Sequence, residues 1–449
     1  MEHLDITADE LVSALLHLAE TEPVCILDSS GVSHLGSHLL LAGIGPVQTH
    51  EIRSPDALSS LKAFDELLAG SLAAVFTLSY EFGRKIQGFK PSQLADAHEP
   101  DIFISLFDVL IVHDYSTSST QLVGNSVKFP AIGEKLLAAR QTAVIPTDRS
   151  SIVRSDFTRN DYLQAIAAIK ERIRCGDTYQ TNLTQRLTAR LPYGLTAELI
   201  FATLRGAHPA PFSAFIKRSE STVVSVSPER FFLIEGGVIT TSPIKGTRPR
   251  GRTPEEDNAF RRELLTSPKE RAENTMIVDL LRNDLGRVCE YGSVHVEKLC
   301  ELEEHPSLFH LVSTVSGRVK PNTVPSSVLT ALFPCGSITG APKISTMRII
   351  DDIERSPRGL SMGAIGYYIP PASFGLPERL ETSVAIRTMV VRDRIATFNV
   401  GGGIVIDSDP EQEYEESLTK ASALMNAING ERDFEIGGTT RRRPVSKGL

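Results

Sequence analysis

Three consecutive glycines, Gly401 to Gly403, interrupt the apolar strand pattern RIATFNVGGGIVI near the end of the chain. Glycines carry no side chain, so they let another backbone or a ligand approach a strand closely. A helix pattern, DSDPEQEYEESLTKASALMNAI, follows at once, in which Ser408 and Glu411 have capping-box spacing and Pro410 suits the first turn. This segment is therefore predicted to fold as a strand beside a helix.

The predicted helix has two faces that differ in chemistry. Its core face, by helical spacing, consists of Tyr414, Leu418, Ala421 and Met425. Glu413, Glu416 and Lys420 recur at i, i+3 and i+7 and share a second face. On most helices such a face is a solvated surface with salt bridges. The adjacent glycines favour the alternative, in which a ligand lies between them and the acidic face.

Elsewhere strand and helix patterns alternate irregularly, which predicts an α+β fold with much antiparallel sheet rather than a repeated βαβ unit. A helix is predicted to begin after Thr158 as N-cap and to end at Gly176, and the β-branched strand TYQTNLTQRLTARL follows it. Two further strands are expected to join at Gly236-Gly237.

Changes in pattern also divide the chain. A soft boundary is predicted near residue 150, with residues 1–150 as a β-rich amino-terminal unit and residues 151–430 as a second unit. Residues 431–449 lack apolar periodicity, so we expect them to form a flexible tail.

Charge and composition exclude several classes of function. The 449 residues include 55 acidic and 47 basic ones, a formal charge of −8, so no electrostatic footprint for nucleic acid is expected. The five cysteines are scattered and form no C-x-x-C pair, which suits a reducing compartment. The start MEHLDITADELV lacks an apolar signal segment, and the longest apolar run is too short to span a bilayer. We expect a cytoplasmic protein without a membrane partner.

A basic segment, TTSPIKGTRPRG, places a lysine where the local pattern predicts a turn. Pro243 and Gly246 bracket Lys245, and three arginines follow between positions 248 and 252. Arginines and partial burial would both make a charged lysine harder to maintain. On this stretch alone, a solvated basic loop is the favoured interpretation.

A second acidic helix is predicted from Pro268 to Leu285, with Glu273 and Asn274 toward its start. Carboxylates from two helices, together with waters and a ligand carboxylate, would suit Mg²⁺, which prefers hard oxygen ligands. The sequence alone does not establish that Glu273 meets Glu416.

Three further positions have both a structural and a binding interpretation. Ser337, in FPCGSITGAPK, precedes a predicted helix, where free N–H groups favour an anion and ordinary capping is equally expected. His310, in FHLVST, is interpreted on its own as a buried, hydrogen-bonded histidine. Arg387 lies within the apolar strand pattern SVAIRTM, so its guanidinium needs an anionic partner, either an internal acid or a ligand.

Read in order, these segments resemble the chorismate-utilising enzymes. The motifs are SVSPER, SPIKGT, AENTMIVDLLRNDLGRV, FHLVSTVSG, FPCGSITGAPK, AIRTM and GGGIVIDSDPEQEYEESLTK, and they run from about residue 158 to residue 428. The family includes the component I chains of anthranilate synthase and aminodeoxychorismate synthase, and the isochorismate and salicylate synthases. The resemblance implies a large, two-lobed α+β fold rich in antiparallel sheet, with residues 151–430 as the chorismate-binding catalytic domain.

Two positions favour one branch of that family. Lys245 gives PIKGT, the form typical of aminodeoxychorismate synthase component I, whereas anthranilate synthases carry alanine there. Gln180 stands near the place of the water-activating lysine of isochorismate and salicylate synthases, and glutamine is no such base. The resemblance thus implies Mg²⁺-dependent amination of chorismate by ammonia to 4-amino-4-deoxychorismate, for 4-aminobenzoate and folate synthesis. Anthranilate synthase component I is the alternative, isochorismate or salicylate synthase a weaker one, and an idle scaffold a fourth.

The resemblance also implies roles for individual residues. Lys245 would be the covalent nucleophile, with its pKa lowered by the arginines and burial, and Glu229 the general acid with a raised pKa. Glu273 and Glu416 would bind Mg²⁺, with Glu413 acting through water. The implied substrate contacts are Gly246 and Thr247 for the ring carboxylate, Arg387 and the backbone of Gly401 for the enolpyruvyl carboxylate, Lys420 near the metal ligands, and His310 and Ser337.

The remaining expectations concern the partner subunit and the positions where the sequence differs from the family pattern. No glutaminase segment is visible before residue 150 or after residue 430, so ammonia is expected from a separate glutamine amidotransferase subunit or from free ammonium. Ser361 stands where the family often has an aromatic residue, and its contact is unassigned. The LDSSG stretch near Asp28 lies where anthranilate synthases have a feedback site, and no regulatory ligand is predicted from it.

Overall fold

Two large antiparallel sheets pack face to face, and helices cover their outer faces. The computed structural model describes residues 1–36, 38–90, 98–139, 151–304, 308–371 and 373–430, and the backbone of residues 434–436 and 439–441. The helices are α1 (Ala8–Leu18), α2 (Ala57–Leu68), α3 (Tyr80–Ile86), α4 (Phe129–Ala138), α5 (Arg159–Arg174), α6 (Ala197–Ala207), α7 (Pro254–Thr266), α8 (Pro268–Gly286), α9 (Pro325–Leu332), α10 (Lys343–Ile353) and α11 (Pro410–Asn429).

All but the last two of the described strands belong to the two large sheets. The first twelve are β1 (Glu2–Leu4), β2 (Val24–Asp28), β3 (Leu39–Ile44), β4 (Gln48–Ile52), β5 (Ala73–Leu78), β6 (Ile102–Phe107), β7 (Val109–Asp114), β8 (Ser119–Gly124), β9 (Val153–Ser155), β10 (Gln180–Arg190), β11 (Phe212–Lys217) and β12 (Thr222–Ser227). The others are β13 (Arg230–Glu235), β14 (Val238–Thr241), β15 (Ile244–Pro249), β16 (His295–Glu304), β17 (Leu308–Arg318), β18 (Gly340–Ala341), β19 (Ala364–Ile369), β20 (Arg379–Val384), β21 (Thr388–Arg392), β22 (Ile395–Ile404), β23 (Phe434–Ile436) and β24 (Thr439–Arg441).

Both sheets mix strands from early and late in the chain. Within the described ranges, the first sheet has the order β1-β8-β7-β3-β2-β11-β12-β21-β22-β10-β18, with β9 on β10. The second has the order β15-β17-β14-β13-β20-β19-β5-β6-β4, with β16 on β17. The expected boundary near residue 150 falls outside the described residues, and strands from both sides of it share each sheet. The two-unit division stays a prediction.

The layers are held by three apolar cores. One lies between the first sheet and α1, α4, α5, α6 and α11, and a second between the other sheet and α2, α3, α8 and α9. The third fills the space between the sheets. Phe64 of α2 meets Phe76 of β5 edge to face, with ring centroids 5.0 Å apart, and both are fully buried. Burying one such ring contributes roughly 1.5–3 kcal/mol, so this pair holds α2 against the second sheet.

Local predictions from periodicity largely hold. The side chain of Thr158 caps α5 by accepting the N–H of Asp161, and Gly236-Gly237 turn β13 into β14 with positive φ. Ser408 is not the N-cap of α11: Asp409 is, because its side chain accepts the N–H of Gln412. At the tail, β23 and β24 pair as a short hairpin, and the remaining residues after 430 lie outside the described residues.

A buried carboxyl ties α3 to the segment after α10. Oε1 of Glu81 accepts the backbone N–H of Arg358 at 2.9 Å, and Oε2 is buried with no hydrogen-bond partner among the described residues. Burial raises the pKa of Glu81 from 4.5 to about 7, although the hydrogen bond from Arg358 opposes the rise. The charged form is therefore costly in the folded protein.

We expect Glu81→Gln to reduce the loss of stability with rising pH. The folded pKa lies above the unfolded one, so the contribution of Glu81 is complete below about pH 4.5 and is lost as pH rises through about 7. In urea unfolding, Glu81→Gln should match the wild type at pH 5 and exceed it at pH 8 by on the order of 2 kcal/mol. Glu66→Gln, at an exposed carboxyl, is the matched control. Equal free energies of unfolding at pH 8 would contradict the assignment.

Candidate active site

The glycine strand β22 contacts the acidic face of α11, as its sequence predicts. A Cβ added to Gly402 would lie 3.4 Å from Oε2 of Glu413 and 3.4 Å from Nζ of Lys420. Lys420 donates to the carbonyl of Gly401 at 3.3 Å and to Oε1 of Glu416 at 2.8 Å. The core face of α11 is buried as expected. The second face therefore contacts the glycine backbone and does not face only solvent.

The acidic ends of α8 and α11 lie close enough to act on one lysine. Nζ of Lys269 is 3.5 Å from Oε1 of Glu413. Burial lowers the pKa of Lys269, but Glu413 and Glu273, with Glu270 and Glu416, raise it overall. Lys269 was not among the predicted site residues. Its spacing, one helical turn before Glu273 on the same helix, could have indicated it. The structure thus brings together two helices whose meeting the sequence left open.

The two expected metal ligands differ in their surroundings. Burial raises the pKa of Glu273, and Glu270 adds to the rise while Lys245 opposes it. Burial alone would raise the pKa of Glu416, but Lys420 and other cations lower this pKa overall. Glu413 is buried, and its Oε1 accepts the hydroxyl of Ser408 at 2.6 Å.

This donor set is suited to Mg²⁺. In the described part of the chain, no three acidic, histidine or cysteine side chains are close enough to hold a metal by themselves. Mg²⁺ commonly takes only one or two carboxylates and completes its shell with waters and ligand oxygens. Glu273 on α8 and Glu416 on α11 offer two such carboxylates, and both act on the same lysine, Lys269.

Lys245 does not lie in a turn, as the Pro and Gly around it predict. It belongs to β15, which pairs with β17, and the register shifts between Lys245 and Thr247 around Gly246, whose φ is +78°. The turn prediction failed because a β-bulge uses glycine in the same left-handed conformation as a turn. Nζ of Lys245 is 3.5 Å from the carbonyl of Ser337.

The arginines near Lys245 are engaged elsewhere. Arg248 contacts Glu263 at 2.9 Å, and Arg250 contacts Asp257 at 2.7 Å. The positive charge that these arginines were expected to place near Lys245 is therefore largely balanced by their acidic partners. The carboxyls that Lys245 does act on are those of Glu229 and Glu273.

Glu229 is buried in surroundings that raise its pKa. It lies between β12 and β13 and is only 6% exposed. Burial raises its pKa, and a hydrogen bond from the Ser337 side chain and the charge of Lys245 oppose that rise. Its Oε1 finds no hydrogen-bond partner in the described ranges. A buried carboxyl with an unused oxygen suits proton donation to a ligand.

His310 and Thr247 form one pair beside the bulge. The hydroxyl of Thr247 lies 2.9 Å from Nδ1 of His310, and these residues are opposite each other on β15 and β17. His310 is buried. It is thus the hydrogen-bonded histidine that its own sequence context favoured, and it lies one residue pair from Lys245.

Arg387 lies just before β21 rather than within a strand, and its φ is +48°. Burial lowers its pKa. Among the residues that the structure describes, no carboxylate forms an ion pair with Arg387, so the internal partner allowed by the sequence is absent there. The guanidinium remains suited to a carboxylate ligand.

The surroundings of Ser361 and Gln180 were not readable from the sequence. The Ser361 hydroxyl donates to the carbonyl of Thr388 at 3.2 Å and accepts the N–H of Asn399 at 3.1 Å, which assigns its role in joining strands. Gln180 is fully buried, and neither of its amide atoms has a partner in the described structure. A Cβ on Gly403 would lie 2.3 Å from Nε2 of Gln180, so this amide faces the glycine strand.

Two other expectations have structural outcomes. Asp28, in the LDSSG stretch, is buried and bound by Arg205 and Tyr115. Searching the described residues for a helix long and apolar enough to cross a membrane finds none.

Comparison with known proteins agrees with this geometry. The model of a family described as chorismate binding enzyme matches residues 23–426. Aminodeoxychorismate synthase component 1 of Bacillus subtilis (strain 168) is 34% identical over 435 residues, covering 88% of this chain and 90% of that protein. Anthranilate synthase component 1 1 of Haloarcula marismortui is also 34% identical, over 446 residues, covering 91% and 88%. Overall identity thus does not separate the two activities.

Solved structures agree on the fold. Anthranilate synthase component I from Streptococcus pneumoniae TIGR4 aligns with a TM-score of 0.73 at 26% identity and covers 88% of this chain and 93% of its own. The menaquinone-specific isochorismate synthase of Escherichia coli aligns with a TM-score of 0.72 at 15% identity, covering 95% and 92%, and so shares the fold. From its sequence match and its α+β architecture, the chain belongs to the family of chorismate binding enzymes.

Proposed function

We propose that this enzyme is component I of an aminodeoxychorismate synthase, which converts chorismate and ammonia into 4-amino-4-deoxychorismate and water. One observation carries the proposal: Lys245 lies at the β15 bulge, where its charge acts on both Glu229 and Glu273. A lysine there stands between an acid suited to proton donation and a carboxylate suited to Mg²⁺. Relatives named anthranilate synthase keep that activity as the alternative.

Substrate binding follows from the two carboxylates of chorismate. Arg387, which has no ion pair among the described residues, would hold the enolpyruvyl carboxylate with help from the backbone at Gly401. Glu273 and Glu416 would hold Mg²⁺, whose charge would neutralise the ring carboxylate. Gly246 and Thr247 at the bulge would donate hydrogen bonds to the same carboxylate.

The chemical step needs an amine and an acid that both act on the ring of chorismate. The neutral amine of Lys245 would attack a ring carbon while Glu229 protonates the departing hydroxyl, so a C–N bond forms and water leaves. Ammonia would then attack the carbon para to the ring carboxylate and release Lys245 as an amine. The balance is chorismate plus ammonia to 4-amino-4-deoxychorismate plus water.

The ammonia source is part of the proposal. Two of the relatives are named component 1 of aminodeoxychorismate synthase in Bacillus subtilis and Klebsiella aerogenes, which implies a second component. We infer a separate glutamine amidotransferase subunit that supplies ammonia, acting in the cytoplasm on the route to 4-aminobenzoate and folate.

The product of chorismate with Mg²⁺ and ammonium tests the reaction directly. We expect 4-aminobenzoate only when an aminodeoxychorismate lyase is added, because para amination leaves the enolpyruvyl group in place. Chromatography of the products with and without the lyase is the measurement. Anthranilate formed without any lyase would instead establish ortho amination and overturn the proposal.

Lys245→Ala tests the covalent role. Without the amine, amination should fall by at least about 100-fold, since a nucleophile cannot be replaced by positioning alone. In the wild type without ammonium, mass spectrometry should find Lys245 modified by the mass of chorismate less water. Lys128→Ala, at an exposed lysine paired with Asp108, is the matched control. An unmodified Lys245 in a wild type that aminates chorismate would exclude the covalent step.

Glu416→Gln tests the metal site by binding as well as by activity. Replacing one carboxylate by an amide should weaken Mg²⁺ binding about 10-fold or more, because Mg²⁺ prefers charged oxygen ligands. Calorimetric titration and the Mg²⁺-dependent rise in unfolding temperature are the measurements. Glu415→Gln, at the neighbouring exposed position, should leave both unchanged. Equal Mg²⁺ affinity in the two variants would remove Glu416 from the site.

A further inference from the structure

One serine contacts both groups that the proposed chemistry requires. Ser337 lies in the short 3₁₀ turn Gly336–Ile338 and is 6% exposed. Its carbonyl lies 3.5 Å from Nζ of Lys245. Its side chain also opposes the rise in the pKa of the Glu229 carboxyl, which places the hydroxyl beside that group. Two different atoms of one residue thus reach the nucleophile and the acid.

The turn that carries Ser337 is firmly held. The hydroxyl of Thr339 donates to the carbonyl of Cys335 at 3.0 Å, and the N–H of Thr339 donates to the carbonyl of Gly336 at 3.3 Å. Sγ of Cys335 lies 3.3 Å from the Ser337 hydroxyl. When the hydroxyl donates a hydrogen bond to Glu229, this thiol can donate a hydrogen bond to the hydroxyl oxygen. These contacts therefore hold the carbonyl and the hydroxyl of Ser337 in fixed positions.

A buried ion pair supports the turn from behind. Nζ of Lys343, on α10, contacts Asp284, on α8, at 2.6 Å, and also donates to the carbonyl of Leu332 at 2.8 Å. A Cβ added to Gly336 would lie 2.5 Å from Cδ2 of Leu280 on α8. The helix that carries Glu273 thus also sets the place of the turn.

We propose that Ser337 is a positioning residue whose carbonyl holds the Lys245 amine and whose hydroxyl orients the Glu229 carboxyl toward the same substrate ring. This inference rests on the function proposed above. It differs from a substrate-binding role, which the sequence resemblance implied for Ser337. In that role the hydroxyl would contact chorismate, whereas in this one it acts through Glu229.

The two roles have different kinetic consequences. If the Ser337 hydroxyl bound chorismate directly, its removal would raise KM and leave the ionisation of Glu229 unchanged. If it acts through Glu229, its removal raises the pKa of that carboxyl further, because a hydrogen bond to the charged form favours that form. Among the described residues, the other titratable groups that interact with Glu229 are Lys245 on β15 and Cys335 on the turn, and the Cys335 thiol would lose its contact with the Ser337 hydroxyl.

Ser337→Ala separates these roles by its pH profile. We expect kcat for ammonium-dependent chorismate consumption to fall about 10-fold with KM within about 2-fold, and the alkaline limb of the kcat profile to move upward by roughly half a pH unit or more. Ser337→Thr keeps a hydroxyl and should restore the wild-type limb. Ser345→Ala, a serine on α10 that bonds Asp177, is the matched control. A raised KM with an unmoved limb would overturn the proposal.

Gly336→Ala gives a second, independent test. Its Cβ would push the turn away from Leu280 and displace the carbonyl and the hydroxyl of Ser337 together. We expect modification of Lys245 by chorismate, followed by mass spectrometry, to be slower than in the wild type in both variants, and slower in Gly336→Ala than in Ser337→Ala, which keeps the carbonyl contact. Unfolding temperatures check that both variants fold. Equal modification rates in the two variants would remove the carbonyl contact from the proposal, and absence of amination by the wild type would instead reject the proposed function.

Discussion

The close packing around β22 is the constraint on which the site depends. A Cβ on Gly401 would lie 1.8 Å from the carbonyl of Leu183, so β10 can approach there only if that position is glycine. Gly402 faces Glu413 and Lys420 on α11. Side chains at these positions would push α11 and β10 outward, and the acidic face of α11 would lose its fixed distance from α8. The triple glycine thus sets the geometry of carboxylates that are far apart in sequence.

Periodicity and capping explain why much of the fold could be predicted. Thr158 and the apolar stripe after it specify α5 locally, and the stripe from Tyr414 specifies α11. These signals depend on neighbours within four residues, so they need no knowledge of the rest of the chain. Local signals failed where two local structures share one residue preference. Gly246 suits a bulge as well as a turn, and Ser408 and Asp409 are both good caps.

Long-range contacts in the site could not be predicted from the residues alone. That Lys269 lies among carboxylates of both α8 and α11, and that Ser337 reaches Lys245, follow from how the two sheets pack. The same holds for Arg387, whose lack of an ion pair among the described residues is a fact of tertiary structure. The resemblance to a family implied other relations by analogy, and the structure supplies a contact for one of them, since Nζ of Lys420 lies 2.8 Å from Oε1 of Glu416.

The surroundings of Lys245 change the physical account of how it would act. Arg248 and Arg250 are paired with Glu263 and Asp257, so their positive charges are compensated locally rather than directed at Lys245. Lys245 instead acts on Glu229, where burial raises the pKa and so favours the proton on the carboxyl. In the proposed chemistry Glu229 donates that proton to the departing hydroxyl, so the burial that raises the pKa of this carboxyl also favours the form that the step requires.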